Sequence, residues 1–294
     1  MKQFKKICRM SQETLKDYVV EQLSLTHKEI VSADGFVYAE GTFPVLLVAH
    51  MDTVHKKLPD YIVYNQTTKT LSSPQGIGGD DRCGVYMILQ LVKQYNCSVL
   101  FCEDEEIGCV GALKFCHSTM SKSLIGKFQY IIEFDRQGSN DAVFYECDNI
   151  DFEDFITEEY YKLAFGSFSD ISYIAPHLNV AAVNLSCGYH KPHTNEEYVS
   201  IPEMRKSIEQ AGKILARTLP TDTFEYVESV SYFKDMSKYN YGSFYYIIEF
   251  EGLDGRTDWF DVCADCEAEA IGMWCIQNPK LTYNHIISID ADYN

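Results

Sequence analysis

Apolar positions recur along this chain at two periods, and the switch between them marks its elements. From Thr14 to Leu25, the residues Leu15, Tyr18, Val19, Gln22 and Leu23 fall near one face, which predicts an amphipathic helix. Gly35 introduces a short strand over Phe36 to Ala39. Pro44 to Ala49 is a continuous apolar run, the mark of a strand buried on both faces. Val85, Ile88, Leu89 and Val92 return to helical spacing within Arg82 to Tyr95, and Ser98 to Cys102 is again strand-like. Gly111 to His117 starts a helix, Tyr130 to Phe134 is a third buried strand and Val180 to Leu185 a fourth. Ile201 and Pro202 open a helix to about Thr218, with Pro202 suited to its first turn and Met204, Ile208, Ala211 and Leu215 on its inner face.

Strands that alternate with helices in this way predict an α/β fold of three layers, α/β/α, around a mixed but mostly parallel sheet. The pattern changes at Pro220-Thr221-Asp222-Thr223. Beyond it, Ser243 to Phe250 and Trp259 to Val262 read as strands around a turn at Leu253 to Gly255. Glu267 to Ile276 reads as a helix and Asn284 to Ile289 as a last strand. The expected organisation is a large domain over residues 1–220 and a small β-β-α-β lobe, α+β in class, over 221–294. That lobe is rich in aromatics (Phe244, Tyr245, Tyr246, Trp259, Phe260) and offers no set of metal ligands. Dimerisation, substrate restriction or simply a core of its own would account for them.

Composition narrows the function. At 294 residues and 46% hydrophobic content, an ordinary buried core is within reach. No apolar run approaches the roughly 20 residues that cross a bilayer. The first twenty residues lack both an apolar core and a small-residue cleavage site, so neither signal peptide nor membrane anchor is expected. The formal net charge of −18 argues against nucleic acid and anionic membranes, which both demand basic patches, and suits a cation or an amine-bearing substrate. The eleven cysteines are odd in number and irregular in spacing, and Cys102 and Cys187 sit in apolar runs, as buried thiols do in a reducing, cytoplasmic setting. Cys263 and Cys266 form a lone C-x-x-C with only Cys275 and His285 nearby, a poor basis for a four-ligand structural zinc.

The chemistry-bearing residues gather at strand ends. The first apolar run closes on His50-Met51-Asp52, the second on Glu103-Asp104-Glu105-Glu106, the third on Asp135, and the fourth leads to His190-Lys191-Pro192-His193. Between the first two lies Gly76-Ile77-Gly78-Gly79-Asp80-Asp81, a glycine-rich turn that runs into a helix. Taken singly, a histidine after a strand is more often a satisfied polar residue, and paired acids are more often solvated; His55 and His177 are left in that ordinary class. Five such elements in order, each at a strand end or helix start, are a different matter. Carboxyl ends of strands form the ligand crevice of open α/β sheets, and histidines with carboxylates are suitable zinc ligands.

The segments AHMDTV, GIGGDDRCGV, EDEEIGCVGA, Phe134-Asp135 and HTNEEYVSI resemble the dinuclear-zinc exopeptidases, the group that holds zinc aminopeptidases, peptidase T-like enzymes and related carboxypeptidases and deacylases. The resemblance spans roughly Leu15 to Leu219, and its ordered set of motifs is specific. It implies two zinc ions, with cobalt or manganese able to serve. His50, Asp80 and Asp135 would hold one ion, and Asp80, Glu106 and His193 the other. Asp80 would then bridge, as two metals about 3.5–4 Å apart require. Glu105 would be the general base and Asp52 would fix the tautomer of His50. The resemblance further implies a cis Asp80–Asp81 peptide. His193 is followed four residues later by Glu197, as in peptidase T-like relatives, whereas His190 fits a looser Tyr-His-x-Pro pattern; His193 is the preferred ligand. Ser169-Asp170 resembles a pair found before the last strand, with Asp170 a residue behind the ligands, a substrate contact or an ordinary loop acid. Relatives with a lid insert it between the Asp and final His ligands, and Arg136 to Pro192 is too short for a full one.

The function so implied is hydrolysis of a terminal peptide bond, aminopeptidase-like, by a hydroxide shared between the metals. Its substrate is a small peptide, and a homo-oligomer is compatible with it. Arg136 and Lys191 adjoin proposed ligands and could bind a substrate carboxylate, which would favour an acyl-amino-acid deacylase or a carboxypeptidase. A protein that kept the fold as a binding module and lost the chemistry is the remaining alternative.

Overall fold

A computed structural model describes residues 1–229, 244–253, 255–264, 270, 271, 273, 274, 278, 281 and 285–292. In chain order the elements are α1 (Lys2–Ile7), α2 (Gln12–Leu23), β1 (Glu29–Ala33), β2 (Phe36–Glu40), β3 (Phe43–His50), β4 (Val63–Asn65), β5 (Thr70–Ser72), α3 (Gly79–Leu91), β6 (Cys97–Cys102), α4 (Val110–His117), α5 (Thr119–Lys122) and β7 (Tyr130–Arg136). There follow β8 (Asp141–Val143), α6 (Ile150–Thr157), β9 (Lys162–Leu163), α7 (Asp170–Leu178), β10 (Ala182–Ser186), β11 (Tyr189–His190), β12 (Tyr198–Ser200), α8 (Ile201–Arg217), β13 (Phe244–Glu251), β14 (Thr257–Ala264) and β15 (Ile286–Asp292).

The chain forms two compact units, Met1–Lys162 with Ser169–Ser229, and Leu163–Phe168 with Val230–Asn294. The first is built on a sheet of order β1-β2-β6-β3-β7-β10-β8-β9. Its centre is parallel, β6 to β3 to β7 to β10, and its flanks β1, β2 and β8 pair antiparallel. Val45 to His50 are all buried, which is why β3 shows apolar continuity rather than alternation. Helix α3 packs on β3 and β7 with α1, α2 and α8 against it, while α4 and α7 pack together over β2, β3, β6 and β7. The three-layer α/β/α architecture expected from the sequence is therefore present. A second sheet of order β11-β12-β5-β4 carries the His190–His193 region.

In the second unit β13 is the middle of a three-stranded antiparallel sheet, order β14-β13-β15, and residues 270, 271, 273 and 274 are helical. Tyr246, Ile248, Phe250 and Trp274 form its core with Phe165, while Trp259 is largely exposed. The side chains of Cys263, Cys266 and Cys275 lie outside the described residues, as does most of the helix expected over Glu267 to Ile276. Among the described residues no helix is long and apolar enough to cross a membrane.

Candidate metal centre

Parallel register brings the sequence-predicted residues to one edge. His50 pairs with Cys102 across β3 and β6, so the Glu103–Glu106 loop leaves the sheet beside it. Val48 pairs with Glu133 across β3 and β7. Two residues further on, on the same face, stand His50 and Asp135. The glycine turn enters from the other side: Gly78, with φ of +63°, adopts a left-handed conformation that side chains disfavour, and the chain then passes through Asp80 and Asp81 before α3 becomes regular. The Asp80–Asp81 peptide is cis.

His50 Nε2 lies 3.2 Å from Asp80 Oδ1, 3.4 Å from Asp135 Oδ1 and 4.0 Å from Glu105 Oε2. His193 Nε2 lies 3.2 Å from Asp80 Oδ2 and 3.1 Å from Glu106 Oε2. The two oxygens of Asp80 thus address two different histidines. His190 turns elsewhere: its ring stacks on Tyr198 and its Nε2 pairs with Glu203. Asp52 accepts from His50 Nδ1 at 3.0 Å, and also from the backbone N–H groups of Glu105 and Glu106, each at 3.0 Å. It therefore fixes a histidine and the loop carrying both glutamates.

Several supporting residues carry no signal of their own in the sequence. Asn184 clamps the Asp135 backbone through its Oδ1 and Nδ2. Tyr189 OH donates to the Asp135 carbonyl at 3.2 Å. Of the Ser169-Asp170 pair, Ser169 is the one that reaches the cluster, its hydroxyl donating to Asp135 Oδ2 at 3.1 Å. Asp170 is fully buried at the start of α7, where Cys102 and Cys109 are its neighbours, and is not at the open face. His177 bonds to Ser121. His55 is bound to Glu197 at 2.8 Å.

The electrostatics of the cluster follow from crowded buried carboxylates. Burial pushes Asp135 up to about 7, with the neighbouring charge of Asp80 acting in the same direction. Burial likewise raises Glu105 well above the usual carboxylate range, and raises Glu106, to which the Asp80 charge adds. For Asp80 burial acts in that sense too, but hydrogen bonds from His193 and His50 outweigh it and hold the carboxyl below its ordinary value. Burial lowers His50, and the charges of Asp135 and Asp52 more than reverse it. Like charges forced together in low dielectric call for a compensating cation. Among the described residues, two sets of groups have ligand atoms all within 4.8 Å of one another, His50 with Asp81 and Asp135, and His50 with Asp80 and Glu106. Glu106 Oε1 and Asp81 Oδ2 are buried without a hydrogen-bond partner. Nitrogen and oxygen donors so arranged fit zinc, cobalt or manganese. An open cleft of about 530 Å³, lined by Val54, His55, Lys56, Pro74, Gln75 and His193 among others, adjoins the cluster at His193.

No family model and no curated protein matches the sequence. Solved structures do match in three dimensions. The aminopeptidase PepT of Bacillus cereus superposes with a TM-score of 0.60 at 12% identity, over 73% of this chain and 96% of that one. A tripeptidase of Staphylococcus aureus gives 0.59 at 12% identity, over 73% and 97%. An aminopeptidase from the archaeon Desulfurococcus kamchatkensis gives 0.56 at 15% identity, over 74% and 95%. With a cluster of histidines and carboxylates at the carboxyl ends of its parallel strands, the chain has the α/β fold of these aminopeptidases and this tripeptidase.

Proposed function

We propose that this protein is a two-metal exopeptidase of aminopeptidase type, with zinc as the metal and a short peptide as substrate. The observation that carries the reading is the double address of Asp80, one oxygen toward His50 and the other toward His193, with Asp135 and Glu106 completing the two sides. His50, Asp80 and Asp135 would hold one ion, and Asp80, Glu106 and His193 the other. Asp81 is near enough to join the first set: its Oδ1 accepts from the Gly84 N–H at 2.8 Å, while its Oδ2 is buried without a hydrogen-bond partner. Two divalent cations bound there would polarise the scissile carbonyl and acidify water.

The remaining work falls to the chain. Glu105, beside the ligands with its Oε2 4.0 Å from His50 Nε2, takes the proton of the attacking water and returns it to the leaving nitrogen. Asp52 keeps the proton on His50 Nδ1, so that Nε2 faces the cluster with its lone pair when a cation is bound. The deacylase and carboxypeptidase alternatives relied on Arg136 and Lys191. Lys191 pairs with Glu196 at the surface, and Arg136 lies 3.7 Å from Asp141. The neighbours named as aminopeptidases and a tripeptidase support the aminopeptidase reading.

The test is a panel of aminoacyl, acyl-amino-acid and short-peptide substrates given to protein stripped by a chelator and then reloaded. Cleavage of free-amino substrates should vanish on stripping and return with zinc, cobalt or manganese. Cleavage confined to acyl-amino acids would replace the aminopeptidase with a deacylase, and uptake of two zinc ions without any hydrolysis would leave a binding protein. The same assay separates the histidines. His193→Ala is expected to lose one of two metals, and His190→Ala to keep both. Metal analysis with the reverse outcome would move the ligand to His190.

A further inference from the structure

We propose that Glu197 is a positioning residue for the metal centre, a buried carboxylate that ties together three of the segments from which ligands come; the inference rests on the two-metal reading above. Glu197 is fully buried. Its Oε2 accepts from the Gly78 N–H at 2.8 Å and from His55 Nε2 at 2.8 Å, and its Oε1 accepts from the Asp80 N–H at 2.9 Å. A carboxylate is an acceptor-only group with room for several donors, which suits it to a point where three converge. These donors belong to different segments. His55 stands five residues after His50, Gly78 and Asp80 lie in the glycine turn, and Glu197 itself stands four residues after His193.

The surroundings are shaped for this contact. A Cβ on Gly79 would lie 3.2 Å from Glu197 Oε1 and 2.8 Å from both Tyr189 Cβ and Val199 Cγ2, so the bare backbone is what lets the turn close on the carboxylate. A Cβ on Gly76 would lie 2.0 Å from His55 Cε1, which leaves the imidazole room only against glycine. Tyr189 and Val199 pair directly across β11 and β12, so the far side of the contact is a hairpin rather than a mobile loop. Asp80 is therefore held by its own N–H against a fixed support while its two oxygens address the two histidines. Both Glu197 oxygens are engaged by these three donors, so Glu197 acts through Asp80, setting where the Asp80 oxygens lie.

A residue that only holds the fold together would change stability and leave the metal affinity of the folded protein alone. The experiment measures zinc affinity by chelator competition on metal-free wild type, Glu197→Gln, His55→Ala and the double variant, alongside melting curves with and without zinc. Glu197→Gln offers one oxygen and a donor NH2 where three N–H groups meet. It is expected to weaken both zinc equivalents by at least about tenfold, the scale of lost support behind metal ligands. It should also shrink the melting gain on zinc addition. His55→Ala leaves the Asp80 bond intact and is expected to lose less, and the double variant to match Glu197→Gln, because the two residues share one contact. Wild-type affinity and an undiminished melting gain in Glu197→Gln would overturn the proposal, whatever happens to the metal-free melt. If that variant does not fold, Glu197→Asp decides, because it draws the carboxylate back by one methylene from the Asp80 N–H, and undiminished zinc affinity there overturns the proposal. Failure of wild type itself to take up zinc would instead sink the two-metal reading, and this inference with it.

Discussion

Glu105→Gln is expected to keep its fold and its metals and to lose roughly a hundred- to ten-thousand-fold in kcat, the usual range for removal of a positioned acid–base group. Glu105 lies next to a proposed ligand without being one. Its Oε2 is 4.0 Å from His50 Nε2, while Glu106 takes the contact with His193 at 3.1 Å. The loop that carries it is fixed from the backbone, through the Glu105 and Glu106 N–H groups on Asp52, and those bonds do not depend on the glutamate side chain. Glutamine keeps the volume and can hydrogen-bond to water, but it can neither take the water's proton nor deliver one to the leaving nitrogen. Glu106→Gln is the contrast, because it weakens a residue placed to hold metal and should lower occupancy before it touches chemistry. Kinetics and metal content on both variants decide the matter. Near-normal turnover in fully loaded Glu105→Gln would mean that another group is the base.

What the sequence made legible is the buried centre of the fold. Strands β3, β6, β7 and β10 are buried along most of their length, so each appears as a largely apolar run, interrupted by Ser98 in β6, Glu133 in β7 and Asn184 in β10, and each run leads to a chemistry-bearing residue. The long helices α2, α3 and α8 were legible from helical spacing, with α3 ending at Leu91 rather than near Tyr95. The missed elements are short or peripheral. Strand β1 has exposed and half-buried positions without strict alternation, and β4, β5, β11 and β12 have two or three residues each. Helix α7 contains Pro176 close to its end, a residue that argues against a helix when met in sequence. Pairing and packing, not local periodicity, make these segments regular.

The site divides in the same way. His50, Asp80, Glu105, Glu106, Asp135 and His193 stood out as an ordered set at strand ends and a helix start, and the resemblance to the dinuclear-zinc exopeptidases supplied the roles proposed for them. Their supports did not stand out. Glu197 had a place in a motif but no role, because its partner His55 lies 142 residues away in the chain and only the fold brings them together. Asn184 and Ser169 act on Asp135 from 49 and 34 residues away. The Ser169-Asp170 pair drew attention to its acid, yet the Ser169 hydroxyl makes the contact with Asp135, while Asp170 is fully buried in the first turn of α7.

Asp80→Asn should have the larger consequence for metal, removing both ions rather than one. Among the described residues, Asp80 is the group whose two oxygens face both histidines, at 3.2 Å on each side. An amide is neutral, keeps one oxygen and turns an NH2 toward the other histidine, so neither proposed set retains its charge and one loses a ligand atom outright. Removal of one partner from a buried charged set typically costs about 3–5 kcal/mol, or roughly two to three and a half powers of ten in affinity. Asp135→Asn touches one set only and should leave one ion bound. The metal-free fold responds differently. Burial opposes the charge on Asp80, but His193 and His50 hold its carboxyl below the ordinary range. A lowered folded-state value means that the ionised group stabilises the fold above its unfolded value and that this support fades as pH falls through the folded one. Asp80→Asn should therefore lower the metal-free melting temperature at neutral pH and erase nearly all of the gain that zinc gives. Metal analysis after dialysis against trace zinc, set beside melting curves for wild type, Asp80→Asn and Asp135→Asn, measures both effects. Two ions retained by Asp80→Asn, with turnover near that of wild type, would show that the two sides of the cluster do not share this carboxylate.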